Sequence, residues 1–324
     1  IAGNADNVGN IAIGYSALDA TSTNATTGQI AIGHQALTAL TTGARNTSMG
    51  YQSGLALTTG DNNVIIGYES AKALTVESGN TSIGYGAMSA VAKGSSGSQY
   101  TNHNIAIGVN TMTGGQPSSG SFEYNIAIGN SALNSTGTNY QNGTIAIGHN
   151  ALTALTSGAR NTTTGYQSGL ALTTGDDNCY FGYACGDASV DGLRNTAMGV
   201  AALSADAADD NTAIGFNALL AATGSDNTAI GAQAGDGITS AVGNTAIGYK
   251  ALTAATPGSN NVAVGIEAGL SISGGHSSVF VGFQAGDTQT NGDSNTCIGY
   301  GADVSATNAK YQTALGYGTA PVQD

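Results

Sequence analysis

A short phrase recurs from one end of the chain to the other: Asn, a β-branched residue, Ala, Ile, Gly. It reads NIAIG at 10–14, NTAIG at 211–215 and NTAIG again at 244–248. Marking each copy by its final glycine gives Gly14, Gly33, Gly50, Gly67, Gly84, Gly108, Gly129, Gly148, Gly165, Gly182, Gly199, Gly215, Gly231, Gly248, Gly265, Gly282, Gly299 and Gly316. Most neighbouring markers lie 17 residues apart. The exceptions are 19 at the start, 24, 21 and 19 between Gly84 and Gly148, and two of 16 after Gly199. A short fixed period confines the chain to a repeat architecture, because one copy cannot bury a core and must stack on its neighbours.

A longer repeat lies on top of the short one. The segment Ile30–Asn63 returns almost unchanged as Ile145–Asn178, an offset of 115 residues. Duplication of a block of coils accounts for this. The positions of an enzyme core each do a different job and do not tolerate such copying.

With the marker glycine as position 0, positions −3 and −1 carry Thr, Ile or Val and then Ile, Met or Val, while −2 and 0 are mostly Ala and Gly. Alternation with period two predicts a strand with one bulky and one nearly bare face. Position +1 is aromatic in many copies, among them Tyr15, Tyr51, Tyr68, Phe216 and Tyr300. Polar stretches such as TTGDN and TPGSN between copies predict turns. Each coil should hold one strong strand, one weaker strand and two turns. The Asn at −4 should form a corner ladder. The Ile row is expected to face inward. The bare Ala and Gly row implies either a very narrow interior or a second chain packed against it. The predicted fold class is all-β: a parallel β-solenoid of about eighteen coils of 17 residues, assembled as an elongated homotrimer. At roughly 4.8 Å per coil the stack would extend on the order of 85 Å. The expected organisation is a lead-in over 1–9, a single array over 10–320 with enlarged coils at 85–148, and a short end at 321–324.

Composition removes several other classes. The 50 glycines do not fall at every third position and there are only 3 prolines, which excludes collagen. Charged residues make up only 8 %, unlike a disordered polyelectrolyte. The net charge is −13 with 7 Lys plus Arg, which disfavours nucleic acid and anionic membranes as partners. No run approaches the ~18 apolar residues of a membrane span. Nothing at the start resembles a secretory signal, and the first residue is Ile1, so a processed product or part of a longer chain is expected.

Candidate chemistry is sparse. His34 and His149 are equivalent positions of the duplicated block, both at +1, and are expected to occupy the Tyr row rather than bind metal. Cys179, Cys185 and Cys297 form no disulfide framework and are expected to be small buried residues. Acidic corners at Asp61, Asp176, Asp177, Asp209, Asp210, Asp226 and Asp293 read as solvated turns rather than calcium loops. Thr alternates with Ile instead of forming a plain Thr face, which argues against ice binding. No catalytic spacing stands out, so no enzyme activity, cofactor or metal is expected.

The enlarged coils are the candidate contact region. Insertions in solenoids map to loops, and loops carry binding. Those of Val91–His103 and Gly114–Tyr124 bring Lys93, Tyr100, His103, Phe122, Glu123 and Tyr124, with Tyr140 in the next coil. Exposed aromatics with polar neighbours suit a sugar or a protein partner, or bracing against an adjacent subunit.

The NTAIG-Y-x-AL phrase with a TTGxxN turn between copies resembles the repeat region of bacteriophage tail-fibre proteins, many of which end in an autocleaving chaperone of the endosialidase type. The stretch Asn295–Ala320 resembles the closing part of such an array. The phrase is also similar to the head repeats of bacterial trimeric autotransporter adhesins, whose fold is a left-handed parallel β-roll assembled as a trimer. The 17-residue unit is longer than the adhesin repeat and its TTG turns fit the phage fibre better. The resemblance implies a structural fibre at the virion surface that mediates host attachment. Its implied partners are two further copies of itself, other virion proteins and a host glycan or protein receptor. The alternative implied is an adhesin head at the bacterial cell surface.

Overall fold

The structure is a computed structural model that describes residues 8–20, 26–91, 101–114, 121–135, 141–254 and 257–320. The chain divides into two compact units, residues 1–167 and 168–324. The first holds β1 (Ile11–Ile13), β2 (Ile30–Ile32), β3 (Thr47–Met49), β4 (Val64–Ile66), β5 (Thr81–Ile83), β6 (Ile105–Ile107), β7 (Phe122–Glu123), β8 (Ile126–Ile128), β9 (Gln141–Asn142), β10 (Ile145–Ile147) and β11 (Thr162–Thr164). The second holds β12 (Cys179–Phe181), β13 (Thr196–Met198), β14 (Thr212–Ile214), β15 (Thr228–Ile230), β16 (Thr245–Ile247), β17 (Val262–Val264), β18 (Val279–Val281), β19 (Thr296–Ile298) and β20 (Thr313–Leu315).

Each unit is a parallel β-solenoid, as the repeat predicts. Within each unit every strand of the main ladder is three residues long and pairs in register with the same strand of a neighbouring coil. Ile11 faces Ile30, and Thr228 faces Thr245. The Asn at −4 locks successive coils together. The Asn63 Oδ1 accepts the Asn80 backbone N–H at 2.9 Å, and its Nδ2 donates to the Glu77 carbonyl at 2.9 Å. The same pair of bonds recurs at Asn227, to the Asn244 N–H and the Ala241 carbonyl. These amides are fully buried, so each unmade bond would cost about 1–3 kcal/mol. Thr side chains stitch the opposite turn: Thr41 Oγ1 donates to the Thr58 carbonyl and Thr58 Oγ1 to that of Thr75.

Two expectations are corrected. First, the weaker second strand is absent from the described regular coils. Positions +2 and +4 instead adopt left-handed backbone, as at Gln35 (φ 55) and Leu37 (φ 50). The path from +1 to +4 therefore turns at every second residue, yet it still bonds coil to coil, Gln35 N–H to the Tyr15 carbonyl and Leu37 N–H to that of Ser53. Second, the Ile row does not line the interior. The Ala at −2 is the buried residue of the strand, as at Ala31, Ala146, Ala213 and Ala246, while −3 and −1 point outward. The interior is the narrow one. The room in front of each Ala is taken by Leu from the opposite wall, such as Leu37, Leu152, Leu219 and Leu252 at +4 and Leu40, Leu57 and Leu155 at +7.

Three coils invert that Ala-and-Leu arrangement. Ile65, Tyr180 and Phe280 occupy −2 and are fully buried. A +4 glycine lies against the large side chain, in the same coil for Tyr180 and Phe280 and in the preceding coil for Ile65. A Cβ on Gly54 would come within 3.0 Å of Ile65 Cδ1, one on Gly186 within 2.6 Å of Tyr180 Cε2, and one on Gly286 would overlap the Phe280 ring. Phe280→Ala should therefore cost about 3–5 kcal/mol through the cavity it leaves. Adding Gly286→Leu rebuilds the ordinary Ala-and-Leu coil, in a backbone conformation that Leu252 already adopts at the same position (φ 49). The double variant should recover at least half of the loss in a urea melt, whereas Gly286→Leu alone should be as damaging as Phe280→Ala. Additive losses would refute this complementarity.

Candidate functional site

With a small residue inside in most coils, the outward side of nearly every strand carries at least one large apolar residue, β11 with Thr162 and Thr164 being the exception. Among the described residues, all exposed large hydrophobics but Val8, Val76, Tyr124, Val190, Val242 and Tyr311 fall on the −3, −1 and +1 rows. Ile13 is 58 % exposed, Met198 48 % and Phe216 53 %. At about 4.8 Å per coil and 3.3 Å per residue, nine coils give each unit an apolar strip on the order of 500 Å². Single apolar residues on a surface are ordinary, and a strip of this size matches the largest patch of a typical monomer.

The +1 row is ordered by stacking. Tyr15, His34, Tyr51, Tyr68 and Tyr85 stack in sequence with ring centroids 5.0–5.2 Å apart and planes within 19°. His149 stacks on Tyr166, and Phe283, Tyr300 and Tyr317 form a run in the second unit. His34 and His149 thus occupy the Tyr row, as expected.

The enlarged coils break this pattern in a particular way. Their +1 positions are Val109 and Asn130, and their aromatics appear instead at the −5 corner, as His103 and Tyr124. These two rings stack on each other at 5.3 Å and 5°. Of the residues expected to form a contact, His103 and Tyr124 are exposed and Glu123 is half-buried. Phe122 is not a surface residue: it is buried, and its strand β7 pairs with β9. It occupies −7, where regular coils have Gly60, Gly175 or Gly224, and it joins Glu77, Thr101 and Gln141 as large buried residues in that row. Large residues thus replace Gly at −7 in these coils. Lys93, Tyr100 and Tyr140 lie outside the described residues.

The acidic corners are structural. Asp61 Oδ1 accepts the Ala44 N–H, Asp209 Oδ1 the Leu193 N–H and Asp293 Oδ1 the His276 N–H. Arg194 pairs with Asp209 and Asp210, and Lys310 with Asp293. Among the described residues no three His, Cys, Asp or Glu side chains converge as a metal ion requires. Cys185 and Cys297 are buried, as expected, and burial pushes both thiols up to about 12. Cys179 departs from that expectation: it sits at −3, on the outward side, and is exposed. No helix among the described residues is long and apolar enough to cross a membrane. No protein-family model matches the chain, and no curated protein sequence matches it.

Proposed function

We propose that this chain is a non-enzymatic structural protein, part of a virion fibre, which assembles as a homotrimer through its outward apolar rows and contributes to host-cell attachment. The observation that carries the reading is the inside-out strand: in most coils Ala is buried at −2 while Ile, Met, Val or aromatic residues face out. Covering those rows with identical rows of a second and third copy removes the strip from water, as obligate assemblies do. The repetition of the rows supports a structural role, since it offers a similar contact from coil to coil. The resemblance of the repeat to tail-fibre arrays supplies the setting at the virion surface.

An antibody raised against the chain tests the setting. It is expected to label fibres projecting from purified virions in negative-stain micrographs. Label confined to the bacterial cell surface would replace the fibre by the adhesin head, and virions without label would overturn the assignment.

A further inference from the structure

We infer that the −5 corner of the enlarged coils holds a slot for one pyranose ring of a glycan, stacked on Tyr124 over Gly143. The inference deepens the attachment part of the reading above and rests on it for its biological setting, while its chemistry stands on the corner itself.

In the enlarged coils the −5 rings lean over the coil before them, whereas the −5 arginines Arg45 and Arg194 reach to the coil after them. A Cβ on Gly79 would lie 2.8 Å from His103 Cδ2, so the His103 ring covers that glycine. Tyr124 covers His103 in turn. The next rung is missing, because position −5 of the following coil is Gly143, whose left-handed backbone (φ 65) needs no side chain. The rung after it is Arg160, whose Cγ lies 4.0 Å from the place a Cβ on Gly143 would take. Among the described residues only the Arg160 Cγ comes that near, chain neighbours aside, and Tyr124 is 61 % exposed, which leaves its face towards Gly143 open. Two coil rises separate the Tyr124 and Arg160 rungs, roughly 9–10 Å. One flat ring in van der Waals contact on both sides needs about 7–8 Å. The slot therefore admits one ring and excludes two.

Its rim favours a sugar over an aromatic side chain. Glu123 and Asn142 occupy the adjoining −6 positions, each one residue before Tyr124 and Gly143. The Asn142 Oδ1 accepts the Glu123 N–H at 2.8 Å, which fixes the amide and leaves its Nδ2 directed away from that bond. A carboxylate that accepts from hydroxyls and an amide that donates to them, beside an apolar platform, match the edge and the C–H face of a pyranose. An aromatic side chain would use only the platform.

Saturation-transfer NMR with methyl β-glucopyranoside, methyl β-galactopyranoside and N-acetylglucosamine tests the slot. At least one probe should receive saturation on the protons of one ring face. Tyr124→Ala should weaken that probe's binding by about tenfold. Gly143→Asn should do the same by refilling the rung, in a conformation that Asn62 (φ 59) and Asn260 (φ 64) already adopt at −5. Tyr311→Ala removes a −5 tyrosine that is 81 % exposed and should change nothing. Absence of transfer to all three probes, or equal transfer in wild type and both slot variants, would overturn the proposal. Transfer only to N-acetyltryptophanamide would assign the slot to a protein ring and overturn it as well. Sedimentation of the wild-type protein separates the two readings: an intact trimer that binds none of the probes removes the slot alone, and a monomer that binds a probe removes the trimer alone.

Discussion

Ala246→Asp is expected to open the second unit, and Ile247→Asp, one residue away, to leave the coil closed while abolishing assembly. Ala246 is fully buried against the opposite wall, whereas Ile247 faces outward in the −1 row. A carboxylate at 246 would stand unpaired among Ala and Leu side chains, which costs several kcal/mol. The melting transition of that unit should fall or vanish, and limited proteolysis should cut near the site. At 247 the carboxylate reaches water in the single chain, so the cost to the coil should be about 1 kcal/mol or less. Placed against an apolar partner face, the same charge prevents association. Equal damage from the two substitutions would mean that the strand faces are assigned the wrong way round.

Gly248→Ala should be almost as destructive, although it adds a single methyl group. Gly248 has φ 130, a backbone that L-residues rarely adopt, and a Cβ there would overlap the carbonyl oxygen of Gly265 in the next coil. That oxygen belongs to the backbone of the stack and cannot rotate away. The neighbouring coils must separate or both backbones must shift, and a loss of about 3 kcal/mol or more is expected. Gly301→Ala is the matching control. Its φ is 58, nothing lies within 4 Å of its Cβ position, and left-handed Ala already occurs at that point of the coil as Ala184 and Ala201. A thermal melt of the two variants should separate them clearly. Similar melting points would show that the marker row is not held by close backbone contact.

The ladder residues were legible in the sequence because their role is local. An amide at −4 in nearly every coil has one use in a stack, and a marker glycine that never varies signals a backbone that no side chain can share. The inside and outside of the strand were not legible. Thr-Ala-Ile alternation ordinarily places Ile in the core, and here it does not, because Leu from the opposite wall fills the space first. That Leu adopts left-handed backbone at Leu37, Leu152 and Leu219, which no residue preference would forecast (φ 50, 50 and 50). Its cost, roughly 1–2 kcal/mol per residue, is offset by the coil-to-coil bonds the turn permits. A clue was nevertheless present. Glycine stands at +4 in the coils where Tyr180 and Phe280 replace Ala at −2, an exchange of large for small that fits residues sharing one interior, although glycine also stands at +4 in coils with a small −2 residue, as Gly235 does with Ala229. At the candidate site the aromatic residues were visible, but not their difference: Phe122 is buried at −7 and Tyr124 exposed at −5, only two residues apart, because β7 ends between them and the chain turns through φ 60 at Tyr124.

Sedimentation velocity of the wild-type protein at micromolar concentration tests most directly whether the outward rows exist to be covered by copies of the same chain. A single species of three times the 31.7 kDa chain mass, reduced to one chain mass by Ile247→Asp, is the expected result. A folded wild-type monomer at that concentration, with its Ile and Tyr rows in water, would contradict it.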